Sequence, residues 1–342
     1  MNYEDTPITK WFKIKNKGYI MSPKYFFFDG VKVTFLLERP NKCHNIGTIK
    51  WTEYDTKLII CCTKKVMKYA NSDNIKFTEL TNIAKTNFNI SQIPILKSNL
   101  QKCIRRSKVE EAKSSALTIL CLKSSELLRR LPIIILEDVM LNNDFLFLVW
   151  LMCAESKGFP INDGYMNKII NSVELLASFT ERELCHKIDK IDIKKLDLSK
   201  ISNYEKDILW SIQLRKSYGG MKGDMKMLNY FTQSWYNKFK NGYELPSSID
   251  KINNLRLIRY DDIQLSSIDF HCTNIVTFIK NKYSNYEIDD IKKAIWFHRS
   301  CYNNKNINED NEKLSNEYKS LWNNIHKYVD YSSKIIIKNT FL

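Results

Sequence analysis

The stretch Ser98–Gly158 decides how this chain is read. It opens with Lys102-Cys103-Ile104-Arg105-Arg106 and runs through Leu127-Leu128-Arg129-Arg130-Leu131-Pro132. It turns acidic at Glu137-Asp138 and closes on Phe145-Leu146-Phe147-Leu148-Val149-Trp150-Leu151-Met152. Cations set among this many apolar residues describe a packed helical region with a charged face, not a disordered basic tail. Ser98 with Gln101, and Ser107 with Glu110, fit the capping box that starts a helix. The first box predicts a short helix with Lys102, Arg105 and Arg106 at i, i+3 and i+4, on one exposed face. The second predicts a helix to about Leu122, with another from near Ser125 that kinks or restarts at Pro132. Asn143 or Asp144 caps the apolar helix, and Gly158 ends it.

Outward from this stretch the character of the chain changes on each side. Residues 10–70 hold short aromatic or β-branched runs: Trp11–Lys15, Tyr25–Phe28, Val31–Leu37, Thr48–Trp51 and Lys57–Cys62. Turn signals separate them, Asp29-Gly30 being a two-residue hairpin turn. They predict a small antiparallel sheet or barrel ending near residue 92. Helical periods recur at 163–178, 180–190, 203–216, 223–239, 273–282, 287–301 and 308–328. The expected fold class is therefore α+β, with a small β-rich domain over 1–92 and a larger α-helical domain over 93–342 that includes a basic helical hairpin at 98–130.

The chain has 342 residues and a net charge of +15. Residues 1–92 carry 15 Lys/Arg against 8 Asp/Glu, and residues 93–130 carry 9 against 3, whereas the remaining 212 carry 29 against 27. Thirteen of the fifteen excess charges thus fall in the first 130 residues, the pattern expected of a protein that binds nucleic-acid phosphates there. Heavy use of Asn, Lys and Ile fits an AT-rich genome, including that of a large virus. Nine cysteines lie scattered without a CxxC pair, and the first residues lack both a basic and an apolar leader region. Together these favour a reduced, cytoplasmic or nuclear setting over secretion. The longest apolar run, Phe145–Ala154, is too short to cross a bilayer.

From Lys102 the pattern Lys102-x-Ile104-Arg105-x-Ser107, then Ala112, Arg129-Arg130-Leu131 and Glu137-Asp138, resembles the C-terminal helical collar of the RarA/MgsA relatives of clamp loaders. The resemblance covers about 40 residues and implies an oligomerising helical collar that acts at replication forks. No G-x-x-x-x-G-K-[ST] loop is present, so it carries no ATPase activity with it.

Four clusters hold candidate chemistry. Lys102, Arg105, Arg106, Lys108, Arg129 and Arg130 are the candidate nucleic-acid contacts. Gly219, Gly220, Lys222 and Gly223 precede an amphipathic helix and would cradle a phosphate, or else cap one helix and start the next at Asp224. Asp269 with His271 and His298 forms a candidate acid/base group, and His271, Cys272, His298 and Cys301 have spacings that fit no zinc family. Glu137-Asp138 beside Arg129-Arg130 reads as a metal-dependent nuclease cluster or as a structural ion pair. The leading expectation is a nucleic-acid-binding protein of replication, repair or RNA handling, without cofactor or resident metal. Its rivals are a nuclease-like enzyme and an oligomeric assembly protein.

Overall fold

The computed structural model describes residues 22–72, 74–183, 196–247, 254–269, 273–305 and 316–342. The Trp11–Lys15 run, most of 180–190, His271, Cys272 and the first part of 308–328 lie outside them. The chain is α+β: one small sheet near the N-terminus, then mostly helix. It divides into two compact units that interleave in sequence, Met1–Val66 with Cys185–Glu244, and Met67–Leu184 with Leu245–Leu342. A cut at residue 92 therefore does not describe the grouping, because two later helices join the sheet.

The first unit is built on strands β1 (Tyr25–Phe28), β2 (Val33–Leu36), β3 (Cys43–Trp51) and β4 (Thr56–Thr63). Their order is β2-β1-β4-β3. The expected antiparallel sheet is in fact mixed, since β1 pairs with β4 in parallel, Phe26 opposite Ile60. The β1–β2 hairpin closes through a four-residue loop, 29–32, rather than the expected two-residue Asp29-Gly30 turn: Asp29 accepts from the Val31 and Lys32 amides, at 2.7 and 2.8 Å, and Gly30 sits at φ +112°. Phe26, Phe28, Val33 and Phe35 are buried, and Phe35 packs on Phe26, Trp51 and Trp210. Two helices complete this unit, Asn203–Ser217 and Lys222–Lys240. β2 is an edge strand, and the buried Asp207 carboxylate accepts from its Phe35 N–H at 3.2 Å, covering an edge group that would otherwise be unpaired.

After β4 the chain forms helices α1 (Lys64–Ala70) and α2 (Ile75–Asn87) rather than more strands, so the β region ends well before residue 92. The second unit continues with α3 (Ile93–Arg105), α4 (Val109–Asp138), α5 (Asp144–Glu155) and α6 (Asp163–Ser178). The helix starts differ from the capping-box reading. α3 begins five residues before Ser98, with Pro94 in its first turn, and α4 begins after Lys108 with no side-chain cap. α4 breaks at Lys123 (φ −163°, ψ 88°) and includes Pro132. α5 is buried from Asp144 to Ala154, and Gly158, at φ +87°, ends it as expected. The C-terminal part comprises α7 (Asn203–Ser217) and α8 (Lys222–Lys240) of the first unit, then α9 (Thr273–Lys282), α10 (Ile288–Ile295) and α11 (Lys319–Phe341) of the second. α10 runs into a π-helical turn, Trp296–Ser300. Among the described residues no helix is long and apolar enough to cross a membrane.

Candidate nucleic-acid interface

The cations at the end of α3 do not face solvent. Lys102 and Arg105 are each only 4% exposed, and Arg106 is partly buried. This corrects the expectation of an open phosphate-binding face. Arg105 Nε donates to Asp138 Oδ1 at 2.5 Å, Nη1 to the Ser300 carbonyl at 2.7 Å and Nη2 to Glu137 Oε1 at 3.3 Å. Gln101 Nε2 donates to the other Asp138 oxygen at 2.7 Å and to Glu137 at 3.1 Å. Lys102 Nζ pairs with Asp269 at 3.2 Å. Arg106 reaches Gln264 at 2.8 Å, the Arg299 carbonyl at 2.7 Å and the Ser266 hydroxyl. Glu137-Asp138 thus pairs with Arg105 from the preceding helix, while Arg130 donates to Gln101.

The electrostatics follow from this burial. Burial works against the Arg105 charge, but the fields of Asp138 and Glu137 outweigh it and hold the guanidinium above its ordinary pKa. At Lys102 the balance reverses: burial lowers the ammonium and Asp269 only partly restores it. Arg299 is lowered to about 10 by burial. The network ties α3 to the end of α4 and to the segments carrying Asp269 and Arg299–Lys305. Asn303 donates to the Asp138 carbonyl at 3.0 Å, and the buried Lys305 donates to the Ala177 and Phe179 carbonyls at the C-terminal end of α6, at 3.1 and 2.5 Å. Glu137 and Asp138 are engaged by donors from α3, which leaves Asp138 no open face for a catalytic metal. Among the described residues no group of three or more His, Cys, Asp or Glu is placed to hold a metal ion.

The other candidate residues separate. Lys108 and Arg129 are exposed and Arg130 is half-buried. Gly219 (φ +73°) follows α7, and its carbonyl accepts from Arg215 at 2.9 Å. α8 starts at Lys222, and the Asp224 carboxylate borders Gly220, so this turn already carries an anion of its own. Asp269 is engaged by Lys102. His298, on the π turn, stacks on Trp322 with centroids 5.7 Å apart and planes at 10°, and Trp322 lies beside His326 at 6.1 Å. Cys301 Sγ instead contacts the Phe297 carbonyl.

Two features escaped the sequence reading. The first is Asn99, fully buried on α3. It donates to Ser115 at 2.9 Å and the Asp262 carbonyl at 3.3 Å, and accepts from the Gln264 amide at 2.9 Å and the Ser267 hydroxyl at 2.7 Å. No spacing rule marks a lone Asn as the clamp of a loop some 165 residues away. The second is the outer face of α11, where Lys327, Tyr331, Lys334 and Lys338 are all exposed at positions i, i+4, i+7 and i+11. None of the three lysines has an ion-pair partner among the described residues. The expected helical period stopped at 328, short of Tyr331, Lys334 and Lys338, whereas the helix runs to Phe341; the stripe also lay in the part of the chain that is near neutral by count. Nearby on the same unit, Lys282 lies over Tyr328 at 3.8 Å and Lys293 over Tyr318 at 5.5 Å.

Comparison with profiles of known protein families, with curated proteins and with solved structures gives no match.

Proposed function

We propose that this protein binds nucleic acid, with single strands preferred, and that the outer face of α11 is a principal contact surface. The observation that carries this reading is the stripe Lys327–Tyr331–Lys334–Lys338, solvent-facing, free of acidic residues and without internal ion pairs. Cations in a row follow a phosphate backbone, and an exposed aromatic ring among them offers a stacking surface for a base. The His298–Trp322–His326 stack and the lysines set over Tyr318 and Tyr328 add aromatic groups beside cations on the same unit. Lys108 and Arg129 remain exposed candidates from the basic segment, while Lys102 and Arg105 act in holding the unit together. A non-hydrolytic accessory role in replication, repair or RNA handling, in the cytoplasm or nucleus, follows from this reading. The cysteines described as free thiols fit such a compartment.

The test is the salt dependence of binding to a labelled oligothymidylate and to a duplex. Wild type is expected to lose affinity steeply with salt. Lys327→Glu/Lys334→Glu/Lys338→Glu is expected to bind more weakly, with the slope reduced by about 0.7 for each single-strand phosphate no longer neutralised. A flat salt response of the wild type would refute nucleic-acid binding. An unchanged slope in the triple variant, with a reduced one in Lys108→Glu/Arg129→Glu, would move the surface to the basic segment.

A further inference from the structure

A cavity of about 350 Å³ opens between α11 and the 260–265 segment. Its floor is apolar, with Ile263 and Ile337 buried. Its rim carries Tyr260 and Asp261 on one side and Lys334 and Lys338 on the other. The size falls within the range of small-ligand sites, and an apolar floor with a few convergent polar groups is their usual composition.

The wall bearing Tyr260 and Asp261 has little regular structure, yet it is firmly held. Asn99 fixes it through the Asp262 carbonyl and the Gln264 amide. The Asp262 carboxylate turns inward to Arg256, at 2.5 and 3.2 Å, and to the Arg259 amide at 2.8 Å. The opposite wall is a helix whose Ser333 and Asp330 are engaged by Arg299, at 3.0 and 3.1 Å. On this rigid frame the four rim side chains are unused. Tyr260, Asp261, Lys334 and Lys338 make no side-chain hydrogen bond, ion pair or ring contact among the described residues. Pre-organised walls with uncommitted polar groups are what a binding site requires and what a merely structural surface does not.

The chemistry of the rim selects the ligand. Two ammonium groups one helical turn apart, without a carboxylate partner, suit a phosphate. The Tyr260 ring and the isoleucine floor suit a flat, weakly polar body. Asp261 accepts hydrogen bonds only, so it favours a ligand with hydroxyl or amino donors and disfavours a simple fatty acid or aryl carboxylate. A nucleotide has all three parts. We propose that this cavity binds one nucleotide unit, its base against Tyr260 and the apolar floor, its phosphate between Lys334 and Lys338, and its sugar hydroxyl or base amine on Asp261. The unit is either a free mononucleotide or one residue of a strand tracking α11. The strand alternative rests on the nucleic-acid reading above, and the mononucleotide alternative does not.

Calorimetric titration of the full chain with adenosine 5′-monophosphate, and with a short oligoadenylate, separates the cases. The variants are Tyr260→Ala, which leaves every lysine of the stripe in place, and Lys334→Glu/Lys338→Glu, with melting temperature as the folding control. Wild type is expected to take up one mononucleotide per chain, each variant binding it at least about ten-fold more weakly, the scale of removing one base stack or one phosphate-neutralising cation. A parallel loss of oligoadenylate affinity in Tyr260→Ala assigns the site to a strand; an unaffected oligoadenylate assigns it to free nucleotide. Mononucleotide binding that both variants retain overturns the proposal. So does an absence of mononucleotide binding with oligoadenylate affinity unchanged in Tyr260→Ala, and that outcome leaves the nucleic-acid reading standing. Mononucleotide binding abolished in the variants, with no oligoadenylate binding by wild type, upholds the cavity and refutes the strand reading instead.

Discussion

Asp207 offers the sharpest test of how the sheet unit is held. Its side chain is buried against β2 and accepts one hydrogen bond, from Phe35 N–H. Burial pushes its carboxyl up to about 7 from the ordinary 3.8; the Phe35 bond and the Lys206 and Lys32 charges pull it down without offsetting that rise. A carboxyl whose pKa is higher in the folded than in the unfolded state binds its proton more tightly when folded. Its contribution is therefore fully favourable below about pH 4 and is lost as pH rises toward 7. The full gap corresponds to on the order of 4 kcal/mol, of which about 3 kcal/mol falls between pH 5 and pH 8. Asp207→Asn keeps an oxygen that can accept from Phe35 and removes the titration. Urea unfolding followed by tryptophan fluorescence, with Trp51 and Trp210 close to Phe35, should show wild type and variant nearly alike at about pH 3, with the gap widening by about 3 kcal/mol between pH 5 and pH 8. At about pH 8 the variant should be the more stable by an amount of that order. Parallel stability profiles across this range, or a variant weaker at both pH values, would show that Asp207 is not a buried titrating acid.

Two further outcomes are expected in the helical unit. Arg105→Met strands the Asp138 carboxylate, 1% exposed, without its charge partner and should cost roughly 3–5 kcal/mol in chemical denaturation. Arg105→Met/Asp138→Leu should recover most of that loss, and equal losses in the single and double variants would contradict the pairing. Burial lowers the Lys305 ammonium to about 8 from 10.5, so the folded state sheds this proton first. Its contribution to stability should rise with pH between these values, and the rise should disappear from the difference between wild type and Lys305→Met.

What was legible in the sequence was local. The α6 span, the helical periods at 203–216 and 223–239, the stop at Gly158 and the position, though not the length, of the hairpin loop at Asp29 all depend on neighbours within a few residues, where periodicity and backbone freedom act directly. What was not legible depended on partners far along the chain. Spacing shows that Lys102, Arg105 and Arg106 share one side of a helix, but it cannot show whether that side faces water. The answer lies with Asp138, 33 residues on, and Asp269, 167 residues on. Alternation marks Tyr25–Phe28 as a strand but not its parallel pairing with β4. Ser98 carries a capping signal, yet Pro94 and the apolar Ile93 and Leu96 start the helix earlier, leaving Ser98 Oγ to meet Lys102 at 3.2 Å.

The same distinction changes where a polyanion would be drawn. Counting along the chain, residues up to 130 look basic and the rest look neutral. Counting by burial narrows that contrast. Among the described residues up to 130, three cations (Lys102, Arg105 and Lys113) and no carboxylate are buried. Beyond 130, six carboxylates are buried (Asp138, Asp144, Glu183, Asp207, Asp262 and Asp269) against three cations, Arg215, Arg299 and Lys305. The later part therefore turns more of its negative than its positive charge inward, and its surface is more basic than its composition. Screening by water and salt acts on the exposed groups, so exposed charge, not total charge, sets the field that a phosphate backbone meets. Lysines 327, 334 and 338 stand out for this reason: the carboxylate on their own helix, Asp330, is engaged by Arg299, which leaves their face of α11 without an acid to neutralise it.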